Sequence, residues 1–441
     1  MAKKSVEVQV YDSDFAVYLR ESLSYEIMVE SRSKSRLRGI IFICIMLAVS
    51  GIIYLGYFCP DQICALTSRE TSWRDWTLRY PLEDNLGKPL AMHSGPVNSK
   101  VASPGMSYDD VLNENFQFDM NAHDVMVFLH IQKTGGTSFG RHLVRDLDLE
   151  RPCTCQRKKK RCYCFRPNRN ENWLFSRYST GWKCGLHADW TELTSCVDSE
   201  LDKNEGDAVK RRYFYITLLR EPISRYLSEF RHVQRGATWR NSRHWCGGHS
   251  ATPQELPQCY QGLTWKGVTL DEFMACPHNL AANRQTRMLA DLALVGCYNT
   301  SYMPSAAERN RVMLASAKRN LAAMAFFGLT EDQKVSQYVF EETFNLRFAV
   351  PFEQHNATVS SVTLAALRPD QKDAVQRLNA LDLELYEFAR GLMHQRFERL
   401  RARDPQFPER FSHLGELPGR PQEAFDWDRE LADDGGNNTL Q

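Results

Sequence analysis

The pattern of apolar and polar positions divides the chain into unlike parts. Gly39 to Phe58 is an uncharged apolar run of twenty residues, long enough as a helix to span about 30 Å of bilayer. Three shorter apolar runs, Val125–Leu129, Tyr213–Leu219 and Ala325–Leu329, have the length and composition of buried strands. Each is followed by a helix-like segment: Phe139–Leu149, the stretch opened by Pro222, and Thr330–Phe344, which starts as a capping box. Another capping box, Ser305-Ala-Ala-Glu308, opens a helix to about Asn320. A single long helix is predicted over 369–403, with Leu378, Leu381 and Leu385 on one face. Strands alternating with helices predict an α/β domain with a central parallel sheet.

Residues 1–38 form a polar tail, and Arg32, Lys34, Arg36 and Arg38 stand before the apolar run. The positive-inside rule then places the tail in the cytosol and everything after Phe58 in the lumen. A cleaved signal peptide fits poorly, because the run is too long and starts behind a long polar tail. Residues 59–123 lack periodicity and carry five prolines, which reads as a stem. The domain is expected over 124–403, with a disordered polar tail over 404–441.

Charge is balanced, with 55 Lys+Arg against 54 Asp+Glu. A chain-wide field for nucleic acid is excluded, so any anion site is local. Of 13 Cys, Cys44 lies in the apolar run and the rest follow it, consistent with an oxidising compartment. Asn299-Thr-Ser, Asn356-Ala-Thr and Asn437-Asn-Thr are glycosylation acceptors on the same side. Cys153-Thr-Cys155 and Cys162-Tyr-Cys164 bracket the basic run Arg157 to Arg161, reading as disulfides that pin a cationic loop. His244-Trp-Cys246-Gly-Gly-His249 could pass for metal ligands, but the cysteines around it favour disulfides.

Chemistry concentrates at the ends of two strands. After Val125–Leu129 come His130-Ile131-Gln132-Lys133-Thr134-Gly135-Gly136-Thr137-Ser138. Strand, glycine turn and helix aim backbone N–H groups and a helix N-terminus at a phosphate, and Lys133 adds a charge. The second apolar run ends at Arg220, with Ser224, Ser228 and Arg231 on one face of the next helix. In a sheet with helix crossovers ligands bind at this edge, so Lys133 and Arg220 are expected to meet over one crevice. Neither this strand nor the next ends in the carboxylate that a magnesium–triphosphate site needs. Between them, Arg177, Trp182, His187 and Trp190 mix aromatic faces with a few polar groups, a composition suited to a sugar. Asp146-Leu-Asp148 and Asp426-Trp-Asp428 could suggest a manganese glycosyltransferase, but neither follows a strand. A heparin-binding module without catalysis is the other alternative.

The pairing of Lys133-Thr-Gly-Gly-Thr137 with Arg220-Glu-Pro-Ile-Ser-Arg-Tyr-Leu-Ser228 resembles the nucleotide loops of Golgi sulfotransferases, which use 3′-phosphoadenylyl sulfate (PAPS). His130 to Thr137, Ser179 to Trp190 and Arg231 to Trp239 are similar to the heparan-sulfate 6-O-sulfotransferases, over about residues 124–400. The resemblance implies a P-loop-like sulfotransferase fold behind one transmembrane helix, in a single-pass Golgi membrane protein. It implies PAPS as co-substrate, no required metal, and heparan sulfate chains as partner. By the same resemblance His130 to Ser138 wrap the 5′-phosphosulfate, while Arg220 and Ser228 hold the 3′-phosphate. His187 becomes the catalytic base and Lys133 the charge on the reacting group. Lys160, Arg161, Arg177, Trp182, His187, His232 and Trp239 bind the polysaccharide, and Phe352 to Thr358 is a candidate lid. Ser138 stands where the family often has Thr, and the tails match nothing firmly.

Overall fold

The computed structural model of the protein describes residues 117–156, 161–206, 209–303, 305–352 and 363–417, together with Tyr108. The proposed span at Gly39–Phe58 and most of the stem lie outside these residues. Among the described residues no helix is long and apolar enough to cross a membrane.

The first half of the domain runs β1 (Asp124–Leu129), α1 (Gly136–Arg145), β2 (Thr154–Cys155), β3 (Cys162–Tyr163), β4 (Leu174–Phe175), α2 (Trp190–Glu205), β5 (Arg212–Leu219) and α3 (Pro222–Gln234). The second half runs β6 (Trp245–Cys246), β7 (His249–Ser250), α4 (Leu270–Ala275), α5 (Arg284–Leu289), α6 (Ala306–Ala323), β8 (Phe326–Leu329), α7 (Gln333–Phe344), α8 (Pro369–Leu378), α9 (Ala380–Arg403) and α10 (Phe407–Ser412). The central sheet is parallel throughout, in the order β4-β1-β5-β8, as the alternating pattern predicts.

Alternate strand residues serve opposite faces. On one face Phe128 meets Phe139 of α1 at 5.3 Å, and Phe326 meets Phe340 of α7 at 5.2 Å. On the other, Tyr215 packs on Trp190 of α2 at 5.0 Å, and the Arg396 guanidinium of α9 lies 4.9 Å from the Phe327 ring. Helices therefore cover both faces, which is why β1 and β5 are buried almost end to end. A fully buried Phe such as Phe326 or Phe340 contributes about 1.5–3 kcal/mol.

Several boundaries differ from expectation. The domain reaches back into the supposed stem: Phe118 packs edge-on against Phe214 at 5.1 Å, and Tyr108 lies under Arg396 at 4.0 Å. The long helix over 369–403 is two helices split at Asn379. That buried side chain donates to the Val375 carbonyl at 2.8 Å, competing with the helix ladder. The Asn283 side chain accepts from the N–H groups of Leu381 and Asp382 instead, capping the new start. Past Asp404, where disorder was expected, Phe407 and Phe411 of α10 pack on Tyr338 at 5.2 and 5.7 Å. Partly covering these rings offsets some of the ordering cost of this segment.

Among the described residues ten cysteines form five disulfides. Cys153–Cys164 and Cys155–Cys162 nest across the β2–β3 hairpin, so the basic loop is stapled twice at its base. Cys246 pairs with Cys297, so the His244–His249 stretch is a cross-linked hairpin.

Candidate active site

The loop 130–138 leaves β1 at the carboxyl edge of the sheet. Its turn needs two left-handed residues, Lys133 at φ 66° and Gly135 at φ 80°. Glycine adopts that conformation freely, and at Lys133 it is a strained choice held by its surroundings. The loop is fixed from three sides. Thr134 Oγ donates to the Ile131 carbonyl at 3.1 Å, the Thr330 hydroxyl lies 2.7 Å from the Thr134 carbonyl, and Arg220 Nη1 donates to the Lys133 carbonyl at 3.3 Å. Ile131, Gln132 and Thr134 are buried, while Thr137 and Ser138 are exposed. Helix α1 starts at Gly136 rather than near Phe139, so Thr137 and Ser138 stand in its first turn.

Thr330 corrects the expected capping box. Its hydroxyl turns to the loop and to the Leu219 carbonyl, and α7 starts later, after Asp332. Thr330 and Gln333 instead line a pocket with Gly135, Ser138, Leu218 and Phe352.

The Arg220 guanidinium thus reaches across from the end of β5 to the backbone of Lys133. Gln285 clamps Arg220 from behind, accepting from its N–H and donating to its carbonyl, both at 2.9 Å. Burial lowers the Lys133 pKa, and the nearby Arg235 and Arg220 lower it further against the opposing pull of Glu229. Burial, then Lys133 and Arg235, pulls His232 down to about 4. Ser224, Ser228, Arg231 and His232, with Arg235 just past the last turn, form the less buried stripe of α3, opposite the core residues Tyr226, Leu227, Phe230 and Val233. Cations so crowded raise one another's free energy, and an anion between them reverses the sign.

Across the loop lies a ring cluster. His130 stacks between Phe128 at 5.2 Å and Trp182 at 5.9 Å. His187 touches His130 at 4.8 Å, Trp182 at 4.7 Å and Trp239 at 5.2 Å, and Trp239 continues to His232 at 5.6 Å. The Arg177 guanidinium lies 5.2 Å from the Trp182 ring. His187 Nδ1 is 2.9 Å from the His130 carbonyl. A carbonyl only accepts, so Nδ1 carries the proton and Nε2 keeps a lone pair. Burial lowers the His187 pKa to about 4, and it is neutral near pH 7. Its left-handed backbone, φ 53°, turns the ring under Trp182.

Of the expected site residues, His130 to Ser138, Arg177, Trp182, His187, Arg220, Ser228, His232 and Trp239 gather at this edge. Arg161 sits one step back: it donates to the Ser179 carbonyl at 3.0 Å, tying the disulfide hairpin to the turn before Trp182. Lys160 lies outside the described residues. Asp146 caps α1 and pairs with His142 at 2.7 Å, away from any strand end, and Asp426-Trp-Asp428 is not described. Sequence reasoning missed Glu229, Arg284, Gln285 and Arg235. Only Arg225 and Glu229, four apart on α3, carried a sign of pairing.

Gly136 is the tightest glycine of the 130–138 loop. A Cβ there would stand 2.6 Å from Cδ2 and 2.8 Å from Nε2 of His130, whose ring is held by Phe128 and Trp182. Gly136→Ala is expected to lower turnover at least about tenfold while costing about 1–3 kcal/mol of stability. Steady-state kinetics beside a melting curve checks this; unchanged turnover would show that His130 moves aside freely.

A parallel sheet bearing a strand–turn–helix cradle, with opposed cations on one side and a neutral imidazole on the other, is the site of a group-transfer enzyme acting on anionic molecules. Residues 116–389 match the family described as the sulfotransferase family. The chain is 57% identical over 289 residues to heparan-sulfate 6-O-sulfotransferase 1 of Homo sapiens, covering 65% of this chain and 70% of that one. It is 51% identical over 371 residues to heparan-sulfate 6-O-sulfotransferase 3-B of Danio rerio, covering 83% and 87%. To heparan-sulfate 6-O-sulfotransferase 2 of Gallus gallus it is 48% identical over 375 residues, covering 85% and 90%. The chain belongs to the sulfotransferase family, in its heparan-sulfate 6-O-sulfotransferase branch.

Proposed function

We propose that this enzyme transfers the sulfuryl group of PAPS to the 6-hydroxyl of glucosamine residues in heparan sulfate. The observation that carries this reading is the His187 imidazole, proton fixed on Nδ1 and Nε2 available, resting on the same 130–138 loop whose Lys133 carbonyl receives Arg220. The relatives' names supply the polysaccharide and the hydroxyl. The activity is proposed for the Golgi lumen, with Gly39–Phe58 as the membrane anchor.

The donor supplies an electrophilic sulfur and a bisphosphate leaving group. Lys133 and the N–H groups at the start of α1 face the bridging and equatorial oxygens, where charge grows. Arg220 and Ser228 take the 3′-phosphate. His187 Nε2 accepts the hydroxyl proton as the sugar oxygen bonds to sulfur, and adenosine 3′,5′-bisphosphate departs on the opposite side. Trp182 and Trp239 flank the sugar, and Arg177 and His232 meet its acidic neighbours. Arg161 extends the cationic path towards the stapled hairpin, and Lys160 is assigned to polysaccharide binding by the resemblance alone.

Charge on the donor is met by Lys133 and Arg220 in this account. Glu331, the nearest carboxylate after β8, is engaged with the Tyr386 hydroxyl at 2.5 Å and the Glu221 N–H at 3.0 Å. Turnover is therefore expected to persist in EDTA at its full rate; loss restored by magnesium would overturn the account. The functional test is incubation with labelled PAPS and desulfated heparins, followed by disaccharide analysis. Label at the glucosamine 6-position is the expected result, and label elsewhere would reassign the acceptor.

A further inference from the structure

Glu229 lies on α3, 1% exposed, with no direct place in the chemistry above. Its two oxygens are saturated. Oε2 accepts from Arg225 Nη1 at 2.5 Å and from Arg284 Nε at 2.7 Å; Oε1 accepts from the Trp239 indole N–H at 3.1 Å and from Arg284 Nη2. The two guanidiniums hold it ionised, at a pKa of about 2 despite complete burial.

What hangs on this carboxylate lies on both sides of the site. Trp239 packs edge-on against His187 at 5.2 Å and forms the acceptor wall. Arg284 opens α5, whose next residue, Gln285, makes both backbone hydrogen bonds of Arg220. The start of α5 is fixed in turn by Asp382, which accepts from the N–H groups of Gln285 at 3.1 Å and Thr286 at 2.7 Å. A continuous chain of contacts runs Trp239, Glu229, Arg284, Gln285, Arg220. None of its hydrogen bonds leaves a charged partner unmet at Glu229.

We propose that Glu229 is a positioning residue that ties the acceptor wall at Trp239 to the donor grip at Arg220, holding the two half-sites at a fixed separation. Transfer between two bound molecules is sensitive to such spacing, since a misplacement of about 1 Å costs about a hundredfold. A residue that only neutralised Arg225 and Arg284 would have no need of the indole N–H. This inference rests on the reading of donor and acceptor sides given above.

A double-mutant cycle separates the two roles. The variants are Trp239→Phe, which keeps a ring and removes the N–H, Glu229→Gln, and both together. The readouts are the KM for desulfated heparin, kcat, and the affinity for adenosine 3′,5′-bisphosphate. Trp239→Phe is expected to raise the polysaccharide KM about tenfold, the scale of a lost hydrogen bond to a charge, and to leave bisphosphate affinity unchanged. Glu229→Gln is expected to weaken both ligands, and the double variant to match it in polysaccharide KM within about twofold. Additive effects on that KM, or a Trp239→Phe enzyme indistinguishable from wild type, would overturn the proposal. Should Glu229→Gln fail to fold, Trp239→Phe alone decides by the same criterion. A wild-type enzyme that bound no bisphosphate would instead remove the donor reading beneath it, an outcome read on the unmutated chain.

Discussion

His187→Ala is expected to lower kcat by about 10²–10⁴-fold, the usual contribution of a positioned general base. Affinity for adenosine 3′,5′-bisphosphate should stay close to wild type, because His187 meets the loop at the His130 carbonyl and ring, away from Lys133 and Arg220 to which the donor charge is assigned. The pH profile gives an independent check. Neutral imidazole is the working form, and its pKa of about 4 lies below the ordinary value, chiefly from burial. Protonation therefore removes activity only as pH falls through about 4. The acid limb of kcat/KM, which reports the free enzyme, should be flat down to about pH 5 rather than bending near 6.5. In kcat the bend should move upward, because bound anions favour the charged form. Near-normal turnover in the variant would remove His187 as base, and an acid limb near 6.5 would show a ring more open to water than the structure has it.

Legibility followed sequence distance. The cradle was readable because strand, glycines and helix are contiguous, and so was the turn from Arg220 through Pro222. Their meeting was readable only through the topological rule for parallel sheets, which the β1–β5 pairing bears out. What escaped notice depends on remote partners. The Thr330 hydroxyl reaches a carbonyl 196 residues away, and Gln285 reaches Arg220 across 65. No local pattern says that a Thr before a helix will turn from its cap to a loop. The split at Asn379 was hidden for a related reason, because the Asn283 cap comes from another element. The edges of the domain were misjudged because Tyr108, Phe118, Phe407 and Phe411 sit in stretches without periodicity. A lone aromatic anchor leaves no repeating signal.

The site also divides by kind of force. The acceptor side is built from rings and one oriented imidazole, and it is rigid because each ring packs on the next. The donor side brings Lys133, Arg220 and Arg235 close together, their mutual repulsion only partly offset by Glu229, Glu221 and Glu331. Stabilising the unliganded chain and binding a bisphosphate therefore pull against each other on the donor side, as is common where function needs a destabilised site.

Lys133→Ala tests that opposition directly. Turnover at limiting PAPS is expected to fall by about 10²–10³-fold, the scale of removing one electrostatic contact at the reacting group. Stability should move the other way. Lys133 is half-buried, with its ammonium disfavoured by burial and by Arg235 and Arg220, which together outweigh the favourable pull of Glu229. Taking it away relieves that repulsion, so the unliganded variant should melt no lower than wild type. Adenosine 3′,5′-bisphosphate should stabilise the wild type by mass action, by about 2.7 kcal/mol at a hundredfold excess over Kd, raising its melting temperature, and should raise the variant's far less. Lys133→Arg separates charge from shape: it keeps the cation, but a planar fork does not fit where a compact ammonium stands, so it should restore part of the binding and little of the rate. A Lys133→Ala enzyme that melted several degrees lower yet turned over normally would reverse both signs, and the lysine would then be a structural prop of the turn rather than a charge placed for the donor.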